Sequence, residues 1–249
     1  MYWYEKFYSG AFDPIVGFKD EATTLKEAMF ALDVLDLPRE AYLLDLACGF
    51  GRHSAIFSSS GLNVVGLDAS TYYIATAKAN AQKSGDSTEY IKGDMREILY
   101  TNHFDAVVNM FTSFGFFNED EQNLQVLQSV ANALKPNGKF LLDYANPFFF
   151  VNEYVANGDR NWKYLDDGSL AITKHEFNVI TQREKMTAKI IDANGTETES
   201  CYDIRLYNPV EIEKMLVSAG LTIQQWFGDY DGADVDSLSP RLIILATKS

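Results

Sequence analysis

The 249-residue sequence predicts an α/β fold: a doubly wound, mainly parallel sheet of seven strands that carries an antiparallel β insertion. Three observations carry that reading. Short apolar runs alternate with helix-length amphipathic segments from Leu43 to Ala145, the rhythm of right-handed βαβ crossovers. The run Leu43-Leu44-Asp45-Leu46 breaks on Gly49 and Gly51 and re-enters a helix, which sets bare backbone N–H groups beside a ligand. After Pro147 the rhythm changes to strand-length segments joined by Asp-Asp-Gly and Ala-Asn-Gly turns.

Each element follows from local pattern. Residues 1–13 hold Trp3, Tyr4, Phe7, Tyr8 and Phe12, and the 3, 4, 7, 8 spacing predicts one face of a short helix, docked on the core or capping a ligand site. Residues 20–37 predict a helix with Leu25, Ala28, Met29, Leu32 and Leu35 inward, ended by Pro38. The first strand is 43–46, and its helix, 52–60, is stopped by Gly61. The second strand is 64–67; the next helix starts near Thr71 and closes near Gly85. Residues 89–92 make a third strand, 104–110 a fourth, 119–134 a helix, and 139–145 a fifth strand after the turn Lys135-Pro136-Asn137-Gly138. In the insertion, 161–165, 170–180, 183–192 and 198–207 are strands, and the alternation in Ile172-Thr173-Lys174-His175-Glu176-Phe177 marks them as half-buried. Asn208-Pro209 opens a helix over 210–219, and 221–227 pairs with 242–247. No repeat or low-complexity linker divides the chain. Residues 1–146 and 208–249 therefore form one core, and 147–207 is an antiparallel lid over its ligand edge.

Composition narrows the function. Apolar residues make up 47% of the chain, enough for a sizeable core. The formal charge is −14, from 35 acidic and 21 basic residues, which disfavours binding along a phosphate backbone. No nucleic-acid partner is expected. No segment reaches membrane-spanning length, and the first residues hold no apolar signal core, so a cytoplasmic, membrane-free protein is expected. Cys48 and Cys201 are far apart and His53, His103 and His175 are scattered, so neither a disulfide nor a metal site is expected.

A sheet of this kind gathers binding residues at its strands' carboxyl ends. Gly49, Asp68, Asp94, Asn109 and Tyr144 all fall there. Asp68 follows the glycine turn at a spacing that suits a carboxylate accepting both hydroxyls of a ribose. Two ligand classes compete for the turn. A dinucleotide wants a third small residue where Ser54 stands and sets a diphosphate on the helix N-terminus, where Asp45 would repel it. A ligand carrying an ammonium group suits Asp45 instead. A glycine-x-glycine loop taken alone is as often a plain tight turn.

At this point six segments along the chain resemble the class I S-adenosylmethionine-dependent methyltransferases, whose fold is Rossmann-like. Leu43-Leu44-Asp45-Leu46-Ala47-Cys48-Gly49-Phe50-Gly51-Arg52-His53 is similar to the family's first motif, and Val65-Gly66-Leu67-Asp68-Ala69-Ser70 to its second. Gly93-Asp94-Met95-Arg96 resembles the adenine-binding turn, and Leu134-Lys135-Pro136-Asn137-Gly138-Lys139-Phe140 the turn into the fifth strand, with Asn137 where glycine is commoner. Phe111-Thr112-Ser113-Phe114-Gly115-Phe116-Phe117 and Phe227-Gly228-Asp229-Tyr230-Asp231-Gly232 look like a bacterial small-molecule subgroup, similar in architecture to glycine/sarcosine N-methyltransferases. The resemblance implies S-adenosylmethionine as cofactor. Asp45 would hold its ammonium, Ala47, Gly49, Gly51 and Arg52 would lie around the methionyl chain, and Asp68 would take the ribose hydroxyls. Asp94 and the Met95 N–H would take the adenine edge, with Ala69 on its face and Asn109 alongside.

The acceptor side is less legible. A sulfonium methyl is already activated, so the protein has to position a nucleophile, exclude water and, where needed, remove a proton. Tyr8, Tyr144 and His175 are the catalytic candidates, with His175 a possible general base. Thr112, Ser113, Tyr230 and Arg241 are the substrate-binding candidates. Methyl transfer to a nitrogen or oxygen of a small molecule is the leading reading, by a monomer or homodimer. A nicotinamide-dependent oxidoreductase and a non-catalytic S-adenosylmethionine-binding regulator are the alternatives.

Overall fold

The computed structural model describes residues 6–16 and 20–249; the expected face through Trp3 and Tyr4 lies outside them. The central sheet contains β1 (Tyr42–Leu46), β2 (Asn63–Asp68), β3 (Glu89–Lys92), β4 (Phe104–Asn109), β5 (Leu134–Ala145), β10 (Leu221–Phe227) and β11 (Arg241–Lys248). Their order is β10-β11-β5-β4-β1-β2-β3, with β11 antiparallel to both neighbours and the other pairings parallel. The reversal beside β1 sets the crevice for a ligand at the strands' carboxyl ends.

Alternation along the strands explains the two layers. Leu44, Leu46, Val107 and Leu142 face one core with Val126, Leu127 and Val130 of α5 (Asp120–Ala133) and Ile212 and Leu216 of α7 (Pro209–Ser218). Leu43, Val64, Val108 and Leu141 face the other, with Ala28, Ala31 and Leu35 of α2 (Glu21–Leu35) and Phe57 of α3 (Arg52–Ser59). Strands covered on both sides read as continuous apolar runs, which is why they were legible. A single-turn helix, α1 (Asp13–Val16), precedes α2, and α4 (Thr71–Ser84) carries the chain from β2 to β3.

Two sequence expectations need correction. In α2 the buried residues are Thr24, Glu27, Ala28, Ala31 and Leu35, while Leu25 and Met29 are half exposed at 50% and 52%. Glu27 takes an inward position because Arg52 and His53 meet it there, and this turns the helix away from the face its apolar residues suggested. The insertion also begins not with a strand but with a helix, α6 (Pro147–Asn157). Asn146 Oδ1 accepts the Phe148 N–H at 3.1 Å, so Asn146-Pro147 starts a helix as Asn208-Pro209 does.

The second sheet holds β6 (Arg160–Tyr164), β7 (Leu170–Asn178), β8 (Arg183–Ile191) and β9 (Glu197–Arg205) in that order, all antiparallel. It is fixed to the ligand edge of the core. The Arg205 N–H donates to the Gly115 carbonyl at 2.9 Å, where a Cβ on Gly115 would come within 2.3 Å of the Arg205 oxygen. Phe7 and Phe12 stack with ring centroids 5.5 Å apart and pack against Met186 and Ala188 of β8.

Candidate active site

Two cavities of about 490 and 430 Å³ adjoin above the carboxyl ends of the strands, sharing Tyr8, Phe111, Thr112 and Phe116 as a common wall. The first lies on the core and the second runs under the antiparallel sheet.

The first cavity begins at the turn after β1. Ala47 and Gly49 adopt left-handed φ values of 61° and 58°, and a Cβ on Gly49 would meet nothing, so its backbone lies open to the cavity. Asp68, at the end of β2, pins the turn: its carboxylate accepts the Gly49 N–H at 2.9 Å and the Ser70 N–H at 2.7 Å. Burial pushes the Asp68 carboxyl up to about 6, against those backbone N–H groups and with repulsion from Asp45 added. Asp45 is buried too, and burial raises it although Ser54 donates to it at 2.6 Å. Behind it, Glu27 pairs with Arg52 and, at 2.8 Å, with His53. Burial opposes the Glu27 charge, but the His53 hydrogen bond and the Arg52 guanidinium outweigh it and hold the carboxyl below its ordinary range. Burial, with Asp45 and Asp68 beside it, pushes the Cys48 thiol well up, so Cys48 is packing and no nucleophile.

Ala47, Arg52, Ala69, Asp94 and Met95 also line this cavity, and so does Ser113, which the sequence reading assigned to the acceptor side and which does not line the second cavity. Asp94 is engaged by Arg96, which donates to it through its N–H at 2.9 Å and its guanidinium at 2.6 Å and lies 4.3 Å over the Phe117 ring. Gly51 and Asn109 do not line it. Gly51 caps α3 at φ 85°, where a Cβ would meet the Tyr90 hydroxyl at 2.3 Å. Asn109 is buried, and its Nδ2 donates to the Leu46 carbonyl at 2.8 Å, tying β4 to β1.

Aromatic residues, Thr112, Arg241, His175 and Glu184 line the second cavity. His175 Nδ1 lies 2.8 Å from Glu184, whose side chain is 2% exposed. Arg241 Nε donates to Asp143 Oδ1 at 2.7 Å and its Nη2 to Thr112 Oγ1 at 3.0 Å. Asp143, fully buried, also accepts the Phe111 N–H at 2.6 Å and the Tyr230 hydroxyl at 2.5 Å. It thereby clamps Phe111 and Thr112, two successive residues at φ 61° and 59°, in the left-handed region that side chains rarely occupy. Tyr230 lines neither cavity and acts on Asp143 from behind.

Tyr144 is brought to neither cavity. It is fully buried, its hydroxyl donates to the Arg205 carbonyl, and it accepts the Tyr207 N–H at 2.7 Å. Successive strand residues point to opposite faces, so of Asp143 and Tyr144 only the first bonds residues that line the cavities, Phe111 and Arg241. The sequence reading missed Asp143, although a carboxylate near the carboxyl end of an apolar strand is the signal that marked Asp45 and Asp68.

The acids around the α3 N-terminus decide between the two ligand classes. Asp45 and Asp68 both border the cavity where a dinucleotide would set its diphosphate, and Arg52 is already paired to Glu27. Hydroxyls and an ammonium fit this lining; two phosphates do not. Among the described residues no group of His, Cys, Asp and Glu could hold a metal ion, and no helix is long and apolar enough to cross a membrane.

Comparisons with known proteins agree. Residues 43–138 match the model of the methyltransferase domain. A dTDP-3-amino-3,4,6-trideoxy-alpha-D-glucopyranose N,N-dimethyltransferase of Streptomyces venezuelae is 28% identical over 215 residues, 81% of this chain and 86% of that one. A cypemycin N-terminal methyltransferase of a Streptomyces species is 25% identical over 204 residues, 82% of this chain and 81% of that one. The S-adenosylmethionine-bound structure of CalS10, an amino pentose methyltransferase from Micromonospora echinaspora, aligns with a TM-score of 0.71 at 21% identity, covering 100% of this chain and 98% of that one. The match gives residues 43–138 a methyltransferase domain, and the fold is one shared with solved S-adenosylmethionine-dependent methyltransferases. The methyltransferase match speaks against the oxidoreductase reading, and the lining of the first cavity suits S-adenosylmethionine.

Proposed function

We propose that the protein transfers the methyl group of S-adenosylmethionine to a nitrogen or oxygen of a small-molecule acceptor held in the second cavity. The observation that carries this reading is the pair of adjoining cavities with one shared wall at Phe111 and Thr112. Bound S-adenosylmethionine supplies an activated methyl on a sulfonium. The residues of the first cavity orient it: Asp68 accepts ribose hydroxyls, Asp45 offsets the ammonium, and the open backbone at Gly49 admits the methionyl chain. Asp94 and Met95 meet the adenine. Tyr8 and Thr112, on the shared wall, face both partners of the transfer, and Arg241 holds the Thr112 hydroxyl in place. Segment 147–207, with Phe7 and Phe12 beneath it, forms the lid that excludes water from the transfer. Two free thiols, Cys48 and Cys201, are in keeping with a reducing compartment.

The relatives that methylate amino sugars support a small-molecule acceptor. The test is a methyl-labelled S-adenosylmethionine assay over glycine, sarcosine, dTDP-3-amino-3,6-dideoxyglucose and catechol, with calorimetry of S-adenosylhomocysteine alongside. Label in at least one probe is the expected result. Tight S-adenosylhomocysteine binding with no methyl transfer to any probe or to a metabolite extract would favour the non-catalytic regulator.

A further inference from the structure

We infer that His175 and Glu184 form a proton-accepting pair for an amine acceptor: His175 takes the proton and Glu184 is the positioning residue behind it. The inference rests on the methyl-transfer reading and deepens it by naming the acceptor group. His175 on β7 is paired with Met186 on β8, and Glu184 lies two residues from Met186. The two side chains are thus diagonal neighbours on one face of the sheet, the face that roofs the second cavity. Glu184 is 2% exposed while the His175 side chain keeps 30%, so the carboxylate is sealed and the imidazole is open. A carboxylate that accepts an Nδ1–H fixes the tautomer whose Nε2 carries a lone pair.

A bridge serving stability alone would need no cavity, and burying an ion pair is seldom worth more than apolar packing. This pair instead opens on the cavity that shares its wall with the cofactor pocket. The groups facing it are few. From β9 the Tyr202 hydroxyl faces Glu184, and Asp203 acts on that carboxylate from further off. Tyr8 approaches Glu184 from the N-terminal segment. Helix α6 contributes the Phe150 ring, 6.1 Å from the imidazole, and Asp159 accepts the His175 backbone N–H at 2.8 Å. Lys174 and Glu176, on the opposite face of β7, pair with each other at 2.8 Å. Arg241 lines the same cavity already neutralised by Asp143.

An aliphatic amine enters from neutral water as an ammonium, which has no lone pair with which to attack carbon. Passing one N–H proton to His175 Nε2 frees that pair. The new N–C bond forms as the C–S bond breaks, and sulfur keeps the bonding electrons as a neutral thioether. The positive charge then rests on the methylated nitrogen, and the imidazole returns its proton to water when product leaves. An alcohol is a far weaker acid than an ammonium, so the same imidazole suits an amine and not a hydroxyl.

The first test needs no acceptor. Nitrogen NMR of the His175 ring, assigned against His175→Gln in the full chain with S-adenosylhomocysteine bound, should show the Nδ1–H tautomer. In Glu184→Gln, where an amide faces the ring, the tautomers should mix while S-adenosylhomocysteine affinity stays within about twofold. An Nε2–H tautomer in the wild type, or a tautomer indifferent to Glu184→Gln, overturns the pairing. The second test follows single-turnover methylation of sarcosine and dTDP-3-amino-3,6-dideoxyglucose. His175→Gln should lose about 100-fold at neutral pH, the lower end for a positioned base, and regain most of it near pH 10, where the amine loses its proton unaided. A loss equal at every pH, no loss, or a wild type that methylates catechol and neither amine overturns the inference. A wild type that binds S-adenosylhomocysteine and methylates nothing counts against the methyl-transfer reading, while the tautomer test still decides the pair.

Discussion

Lowering the pH from 7.5 to 5 should weaken S-adenosylhomocysteine binding about tenfold, and Asp68 is the reason. Its carboxyl, pushed up to about 6 by burial, is ionised at the higher pH and mostly protonated at the lower. Ribose hydroxyls donate to the carboxylate, so the bound form requires the proton to leave. With a pKa near 6, the fraction able to bind falls about tenfold at pH 5, about 1.4 kcal/mol. The ligand-free protein should respond in the opposite sense. A carboxyl raised from 3.8 to about 6 on folding binds more protons folded than unfolded across that window, so its contribution to stability is present below 3.8 and lost as pH rises through 6. Titration calorimetry at the two pH values, paired with melting curves with and without ligand, measures both. Asp68→Asn should bind less tightly at pH 7.5 and lose most of the pH dependence. Asp68→Ala should weaken binding further, since a charge-assisted hydrogen bond is worth about 1.5–3 kcal/mol. An unchanged Kd in the wild type between the two pH values, or the same tenfold change in Asp68→Asn, would refute this account.

Three further outcomes are expected. Tyr144→Phe should cost about 1–3 kcal/mol in a denaturant titration, because the Tyr207 N–H loses its buried acceptor, while S-adenosylhomocysteine affinity is unchanged. Gly51→Ala combines a left-handed φ of 85° with a Cβ set 2.3 Å from the Tyr90 hydroxyl, and should lower stability by about 2–4 kcal/mol, read as a fall in Tm. Asp143→Ala strands the largely buried Arg241 and the Phe111 N–H, and should cost about 3–5 kcal/mol by the same titration; Asp143→Asn should cost less.

The core was legible because a parallel sheet covered on both faces writes itself as apolar runs broken by glycine and acid. Asp45 and Asp68 stand out in such runs, and local pattern was enough to find them. Glu27 did not, since a carboxylate on a helix reads as solvent-facing until its partners, 25 and 26 residues away, are known. Asp143 was hidden by its neighbour: Tyr144 drew attention as a pocket aromatic, and only the pleat shows which of the two faces the site. Pro147 was taken for a break in the helical rhythm, where the preceding Asn146 makes it the first residue of a helix. Arg241 was picked out as a substrate-side candidate and does line the second cavity, but its partner Asp143 was not picked out. Glu184 carries no local signal at all, since it acquires its place from strand pairing.

The position of β11 has a consequence for how the molecule comes together. It lies between β5 and β10 yet follows the whole insertion, and Arg241 meets an aspartate 98 residues earlier. A nascent chain, which emerges from its N-terminal end, therefore completes the cofactor turn and β1 to β5 while one edge of β5 still lacks its partner. Through that interval Asp143 has no guanidinium, and the Thr112 hydroxyl lacks the Arg241 donor that holds it. Assembly of the cofactor pocket and of the acceptor pocket is thus separated in time, and the aggregation risk of an open inner strand falls between them.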